Sequence, residues 1–149
     1  MQAEYPKVYL YRRIVQAKLF MDSHYQESID LHAIADEAFF SKFHFIRLFK
    51  QVYGKTPHQY LTYVRVEKAK GLLKTTVPVA EVCYTVGFDS VSSFTGLFKK
   101  CVGKAPSVYQ QEQLQRQSNI LAKPLRYIPG CFAEARGWKQ KSNFEEVSS

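Results

Sequence analysis

The residues FIRLFKQVYGKTP at positions 45–57 return 49 positions later as FTGLFKKCVGKAP at positions 94–106. Such internal similarity indicates two copies of one small structural unit. In each copy, apolar residues recur at i, i+3, i+4 and i+7, the spacing of one buried helical face. These residues are Phe45, Leu48, Phe49 and Val52 in the first copy, and Phe94, Leu97, Phe98 and Cys101 in the second. The repeat therefore predicts two equivalent amphipathic helices.

The outer faces of these two helices differ in chemistry while their core faces match. The first outer face carries Phe43, Ile46, Arg47 and Lys50, whereas the second carries Ser92, Thr95, Gly96 and Lys99. A duplicated scaffold with dissimilar outer faces suits a protein that contacts two different segments of one extended polymer.

Capping and breaking signals place the remaining helices. Helices are predicted over 8–24, with Ile14, Val15, Leu19 and Phe20 on one side, and over 31–38, with Asp30 as the cap. A turn at Phe39-Phe40 leads to Ser41, the predicted N-cap of a helix over 42–52. Thr56-Pro57 begins a connector helix that ends near Leu73. The second unit covers 79–101, with a helix over 79–86, a turn at Gly87-Phe88-Asp89 and a helix over 90–101 that is capped by Ser90.

Beyond the second unit, Pro106 begins a helix that is expected to fade after Gln117. Residues 118–149 lack a sustained helical period and are predicted to be an irregular tail, with a short strand at 125–128. The expected fold is thus all-α, with a domain at 1–117 and an extension at 118–149. Its two helix-turn-helix units, about 31–52 and 79–101, are joined by a connector helix at about 57–73.

Composition favours a folded, basic protein. The 149 residues are 46% hydrophobic, and 21 Lys and Arg residues outnumber 13 Asp and Glu residues. Residues 41–55 and 91–104 contain lysine or arginine but no acid, which concentrates positive charge on the two repeated helices. A polyanion is the expected partner of such a surface, the alternative being an ordinary solvated charged face.

Cysteine and histidine positions give no sign of a metal site or an enzyme. Cys83, Cys101 and Cys131 are odd in number and lack CxxC spacing, which favours a reduced, cytoplasmic protein, with Cys83 and Cys101 as core filler. The four histidines have no metal-ligand spacing. Gly54-Lys55-Thr56 lacks the preceding glycine of a phosphate-binding loop. No signal peptide or membrane-length apolar run is present, and neither a cofactor nor catalysis is expected.

A specific family resemblance joins these observations. The second unit contains Val82-Cys83, Val86 to Ser90, Phe94, Phe98 to Lys100, Gly103, Pro106 and Tyr109, which together strongly resemble the signature of the AraC/XylS family of bacterial transcription regulators. The first half resembles that family through Ile34-Ala35, Ala38, Ser41, Arg47, Phe49-Lys50, Gly54, Thr56-Pro57, Arg65 and Glu67 to Ala69. The resemblance covers about residues 8–110. It implies a sequence-specific regulator that binds double-stranded DNA through two recognition helices, about 42–52 and 90–101, in successive major-groove segments.

Four residues depart from the family pattern. Cys83 replaces the usual alanine, Phe39 replaces the glycine of the first turn, Gly96 stands where arginine is common, and Gln110 stands where arginine often follows the tyrosine. These departures affect the details of base reading and not the fold. With 149 residues leaving no room for a separate effector-sensing domain, the resemblance leads us to expect a short, stand-alone member of the family.

The expected DNA contacts follow from the chemistry of the two outer faces. Arg47 is the leading base reader because arginine can make a bidentate contact with guanine. Phe43 and Ile46 are expected either to pack on thymine methyl groups or to be buried against the preceding helix. Lys42 and Lys50 are assigned to phosphates. In the second helix, Ser92, Ser93 and Thr95 are small polar readers, Gly96 leaves the central position without a side chain, and Lys99 and Lys100 contact the backbone. Ser41 and Ser90 add phosphate contacts at the helix N-termini.

Other roles stay open from the sequence. The alternative function is an architectural or interaction protein that binds DNA without sequence preference. Some DNA-repair alkyltransferases carry a unit of this family, but Pro129-Gly130-Cys131-Phe132 lacks their reactive-cysteine setting. A monomer is expected. Ile128, Phe132 and Trp138 of the tail either dock on the DNA-binding unit or form a surface for a second protomer or for RNA polymerase.

Overall fold

Seven α-helices and one short 3₁₀ helix form the described part of the chain. The computed structural model describes residues 4–37 and 41–130. The α-helices are α1 (Glu4–His24), α2 (Leu31–Glu37), α3 (Lys42–Tyr53), α4 (Pro57–Leu72), α5 (Val79–Thr85), α6 (Val91–Val102) and α7 (Pro106–Ala122). The 3₁₀ helix is Pro124–Tyr127. The predicted all-α architecture of two helix-turn-helix units, α2–α3 and α5–α6, on a long connector, α4, is confirmed.

Matching caps fix the ends of the two repeated helices. The Ser41 hydroxyl accepts a hydrogen bond from the His44 amide at 3.2 Å, and the Ser90 hydroxyl accepts one from the Ser93 amide at the same distance. Both helices end at a left-handed glycine, with φ of 74° at Gly54 and 86° at Gly103. Because a side chain rarely adopts this conformation, glycine ends both helices at equivalent positions.

The connector α4 begins with a capping box and a proline, two features that favour the start of a helix. The Thr56 hydroxyl accepts a hydrogen bond from the Gln59 amide at 3.2 Å, and the Gln59 side chain accepts one from the Thr56 amide at 3.0 Å. This reciprocal pair is a capping box, and Pro57 occupies the first helical position, where no amide hydrogen is needed. At about 1.5 Å per residue, the helix is about 24 Å long.

Each unit has its own core, and the repeat is preserved in the packing of aromatic rings. Phe49 meets Tyr60 edge-on with ring centroids 5.7 Å apart, and Phe98 meets Tyr109 edge-on at 5.5 Å. Both phenylalanines are fully buried. The repeated unit therefore extends into the first turn of the helix that follows it. Truncation of either phenylalanine to alanine is expected to cost about 3–5 kcal/mol, from lost burial and the cavity left behind.

Several predicted core positions were wrong. Of the apolar residues assigned to the buried face of α1, Ile14 is buried, but Val15, Leu19 and Phe20 are exposed, and Ala17 and Met21 are buried instead. The last position of the repeated pattern also points away from the core, because Val52 and Cys101 are both exposed. Cys101 is thus not core filler, whereas Cys83 is fully buried.

The structure also corrects the end of the chain. Helix α7 continues past Gln117 to Ala122, and the predicted strand at 125–128 is wrong because Pro124–Tyr127 forms a 3₁₀ helix. Proline cannot donate to a strand ladder but readily begins a helical turn. The Phe39-Phe40 turn, Cys131, Phe132 and Trp138 lie outside the described residues. The division at residue 117 stays a prediction.

Candidate nucleic-acid interface

Helix α3 presents a basic and aromatic face to solvent. Its core side carries Phe45, Leu48 and Phe49. On the opposite side the Phe43 side chain is 77% exposed, and Lys42, Arg47 and Lys50 are exposed as well. Burial of Phe43 against the preceding helix, the alternative to a DNA contact, is therefore wrong.

Ile46 has a different environment from Phe43. It is half-buried and lines a groove of about 460 Å³ that also borders Ile29, Leu31 and Pro57. Part of its apolar surface is thus committed to the protein. Only its outer edge remains available to a ligand, so Phe43 is the larger apolar contact surface of α3.

Helix α6 presents a face of small polar residues. Ser92, Ser93, Gly96, Lys99 and Lys100 are exposed, and Thr95 is half-buried. A Cβ atom added at Gly96 would have no heavy atom within 4 Å. Packing within the protein therefore does not require glycine at this position.

The repeat pairs the residues of the two faces, and this pairing adds two candidate contacts, His44 and Gln51, that the sequence interpretation did not include. A shift of 49 positions relates Arg47 to Gly96, Lys50 to Lys99, and Gln51 to Lys100. The same shift relates His44 to Ser93. His44 and Gln51 are exposed on α3, like their partners on α6. The signal that could have found them is the repeat itself, since Ser93 and Lys100 were both assigned to DNA.

Among the described residues, the cations of both exposed faces form no salt bridge. The salt bridges between described residues join Lys18 to Asp22, Lys70 to Glu67, and Lys104 to Glu112. No described acid pairs with the four cations Arg47, Lys50, Lys99 and Lys100. Their charges thus project into solvent, where they raise the local concentration of anions.

The helix N-termini add to this potential. Ser41 and Ser90 use their hydroxyl oxygens to cap their own helices, and each helix carries partial positive charge at that end. A capping serine can still donate its hydroxyl proton to a phosphate oxygen. The arrangement is suited to anionic ligands at both units.

The described residues offer no competing chemistry. Among residues 4–37 and 41–130, no three His, Cys, Asp or Glu side chains are grouped to hold a metal ion. Burial raises the pKa of the Cys83 thiol, with a smaller contribution in the same direction from Asp89, which disfavours the nucleophilic thiolate. Within the same ranges, no helix combines the length and apolar character needed to cross a bilayer.

Comparison with known proteins places the chain in a family. Residues 34–112, more than half of its length, match the family model described as "Helix-turn-helix domain". The chain belongs to the AraC/XylS family of helix-turn-helix transcription regulators. It is similar to the "Probable transcriptional regulator LumQ" of Photobacterium leiognathi, with 35% identity over 92 residues, and to the "MmsAB operon regulatory protein" of Pseudomonas aeruginosa, with 35% identity over 97 residues.

The match covers only part of these relatives. It spans 61% and 64% of this chain but 37% and 32% of the two relatives, or about a third of their length. Among solved structures, the chain is similar to the DNA-binding domain of AdpA, described as the global transcriptional factor in complex with a target DNA. The TM-score is 0.66 at 29% identity, over 70% of this chain and 96% of that one.

Proposed function

We propose that this protein binds double-stranded DNA sequence-specifically and regulates transcription, with α3 and α6 as recognition helices in successive major-groove segments. The observation that carries the proposal is the pair of equivalent helices whose exposed faces are basic and without acidic side chains. The family to which the chain belongs, and the similarity of the chain to a domain solved with a target DNA, support the same function.

The dimensions of the connector fit this mode of binding. Successive major-groove segments on one face of DNA lie about 34 Å apart. Helix α4 is about 24 Å long, and the helices packed against its two ends extend the separation of the recognition helices. Bending of the DNA accommodates the remaining difference.

The side chains divide into base readers and phosphate contacts. Arg47 reads guanine, Phe43 and the outer edge of Ile46 pack on thymine methyl groups, and Gln51 adds an amide suited to adenine. Lys42, Lys50, Lys99 and Lys100 contact phosphates, together with Ser41 and Ser90 at the helix N-termini. Ser92, Ser93 and Thr95 read bases from α6, where Gly96 leaves the central position without a side chain.

Selection of binding sites from random duplex DNA tests this function. A regulator should enrich a bipartite site, with two short motifs about one helical turn apart. The same selection with Arg47→Ala and Lys99→Ala variants should change the motif only for Arg47→Ala. Uniform retention of all sequences would instead favour the alternative of an architectural binder, and no retention would favour an interaction protein.

Further features of the proposal concern assembly and location. The protein acts as a monomer, because two recognition helices within one chain suffice for a bipartite site. Its proposed location is the cytoplasm, where bacterial DNA is found. Contact with RNA polymerase is proposed through surfaces that do not face DNA. Gel filtration with and without residues 118–149 tests the monomer, since a mass that falls by half on truncation would reveal dimerisation through that segment.

A further inference from the structure

The two helix-turn-helix units have separate cores. The core of the first unit includes Ile14, Met21 and Phe45, and the core of the second includes Val82, Phe94 and Phe98. Among the described residues, Tyr25, which follows α1, is the partly buried side chain that packs against both of these clusters. The angle between the units therefore depends on α4 and on a small junction around Tyr25.

Arg65 of α4 makes the hydrogen bonds of this junction. Its Nε atom donates to the Tyr25 carbonyl at 2.8 Å, and a terminal guanidinium nitrogen donates to the Glu27 carbonyl at 2.9 Å. The same guanidinium lies 5.8 Å from the centre of the Phe88 ring, in the turn of the second unit. One side chain thus joins the α1–α2 segment, the connector and the α5–α6 turn.

Gly87 brings the second unit close to the same atoms. Its φ is 102°, and a Cβ atom added there would lie 2.6 Å from the Tyr25 carbonyl oxygen and 3.0 Å from Arg65 Nε. A side chain at this position would collide with both partners of the hydrogen bond. Glycine is needed here for the turn and for close contact between the two units.

We propose that Arg65 is a positioning residue for bipartite DNA reading. By holding the carbonyls of residues 25 and 27 against the turn at 87–89, it fixes the angle between α3 and α6. That angle sets the separation of the two half-sites that the protein accepts. This inference rests on the proposed function, since it requires both helices to contact one DNA molecule.

Two weak DNA-binding sites gain affinity when they are linked within one molecule. A rigid link of matching geometry makes the second contact intramolecular and can raise affinity by about 10²–10⁴-fold over one unit. One base pair added between half-sites rotates the second by about 35° around the DNA axis, since one turn contains about 10–10.5 base pairs. A fixed junction cannot follow this rotation, whereas a loosened junction follows it at the cost of affinity.

The test compares wild-type protein with Arg65→Lys on the selected site and on sites one base pair longer or shorter. Lysine keeps the charge but cannot reproduce the fork that reaches two carbonyls. Wild-type affinity should fall about 100-fold on either altered site as the intramolecular gain is lost. Arg65→Lys should bind the selected site about tenfold more weakly and lose only about threefold on the altered sites.

Controls separate positioning from folding and from the proposed function. Arg116→Lys makes the same chemical change at an exposed position of α7 and should retain the wild-type spacing penalty. Binding to an isolated half-site should be the same for all variants within about twofold, as the base contacts of α3 are untouched. In Gly87→Ala the new methyl group collides with the Tyr25 carbonyl and Arg65, so this variant should also show a reduced spacing penalty. It provides a second test if Arg65→Lys fails to fold.

The angle itself can be measured without DNA. Exposed Cys101 on α6 and a Gln51→Cys variant on α3 accept spin labels, while Cys83 is buried and Cys131→Ser removes the remaining thiol. The distance distribution should be narrow for the wild-type junction and broad for Arg65→Lys. An unchanged distribution together with an unchanged spacing penalty would overturn the inference. A wild-type protein indifferent to spacing would contradict the proposed two-helix reading itself.

Discussion

The Tyr60 hydroxyl donates a hydrogen bond to an Asp22 carboxylate oxygen at 2.5 Å, which joins the connector α4 to α1. Lys18 approaches the other oxygen of the same carboxylate at 2.7 Å. Partial burial of Tyr60, with the hydrogen bond to Asp22, raises the pKa of the tyrosine from 10.0 to about 12. The first unit is thus attached to the connector by a contact that depends on a proton.

This contact predicts a loss of stability in alkaline solution. Because the folded state raises the pKa of Tyr60, its contribution is fully present below pH 10 and is lost as pH rises towards about 12. Lys18, whose pKa is also raised, mainly by its hydrogen bond to Asp22, acts in the same direction. Urea unfolding at a series of pH values should show this decline for the wild-type protein.

The Tyr60→Phe variant isolates the hydroxyl. It should be less stable by about 0.5–1.5 kcal/mol at neutral pH and should show a weaker decline between pH 10 and 12. Tyr84→Phe is the matched control, since Tyr84 is 58% exposed, and it should keep the wild-type decline. An identical alkaline profile for Tyr60→Phe and wild type would show that the hydroxyl is not responsible.

Salt should weaken DNA binding strongly. Lys42, Arg47 and Lys50 on α3, Lys99 and Lys100 on α6, and Lys55 just beyond α3 supply six cations. If all six cations, including Arg47 within the groove, displace condensed counterions, binding should weaken about a thousandfold between 50 and 200 mM salt. Fluorescence anisotropy across this range measures the slope. Affinity that does not respond to salt would rule out a phosphate-based interface.

Arg47 and Lys99 should differ in the kind of loss they cause. Arg47→Ala should cost about 1–3 kcal/mol on the selected site and relax preference at one base position. Lys99→Ala should weaken binding to all duplexes alike, because a phosphate contact carries no sequence information. Titrations on the selected site and on point-substituted sites measure both effects. Equal weakening on every duplex by Arg47→Ala would reassign Arg47 to phosphate.

Gly96 should make the second half-site less informative than the first. It stands where the first unit has Arg47, and it costs an exposed helix about 0.8–1.0 kcal/mol relative to alanine. The space around it is open. If the glycine is merely permissive, Gly96→Ala should raise the melting temperature without changing DNA affinity, and Gly96→Arg should add a base preference.

Close approach of DNA to α6 gives the opposite result for the same variant. In that case Gly96→Ala keeps the fold and loses binding, because the new methyl group occupies space needed by the DNA. Thermal unfolding and DNA titration of the one variant therefore separate the two explanations. If the second half-site specifies its bases as strictly as the first, the prediction of weaker sequence specificity for α6 is wrong under either explanation.

The two capping serines should contribute equally to stability. Ser41→Ala and Ser90→Ala should each cost about 1 kcal/mol, because the amides of His44 and Ser93 lose their acceptors. Ser41→Thr and Ser90→Thr retain an acceptor and serve as controls. Urea unfolding measures the cost. If DNA affinity falls by more than the decrease in the folded fraction explains, the serine hydroxyl also contacts a phosphate.

The local elements could be predicted from the sequence where one residue type has one physical role. Thr56 with Pro57, the two serine caps, and the turn at Gly87 were all recognisable from their chemistry, whereas the contribution of Gln59 emerged only from the structure. The buried face of α1 could not be predicted, because apolar residues lie on all sides of that helix and their spacing does not select one face. Packing against α4 decides that Ala17 and Met21 are buried while Leu19 is exposed.

The candidate site was predictable to the same degree. Its cations follow from the basic, acid-free repeat, whereas the sequence left the exposure of Phe43 open and the structure decided it. The role of Arg65 could not be read in advance, because its partners are carbonyl oxygens 40 and 38 positions away. Every residue carries a carbonyl, so no pattern of side chains marks these two.

That choice of partner has an evolutionary consequence. Because Arg65 binds the main chain at residues 25 and 27, the identity of the side chain at position 27 is irrelevant to the bond. Substitutions at position 27, and on the exposed face of α3, can therefore occur without altering these hydrogen bonds, whereas the Tyr25 side chain is constrained by its packing against both cores. The base preference of α3 can then change through surface substitutions while the half-site spacing that Arg65 is proposed to set stays the same.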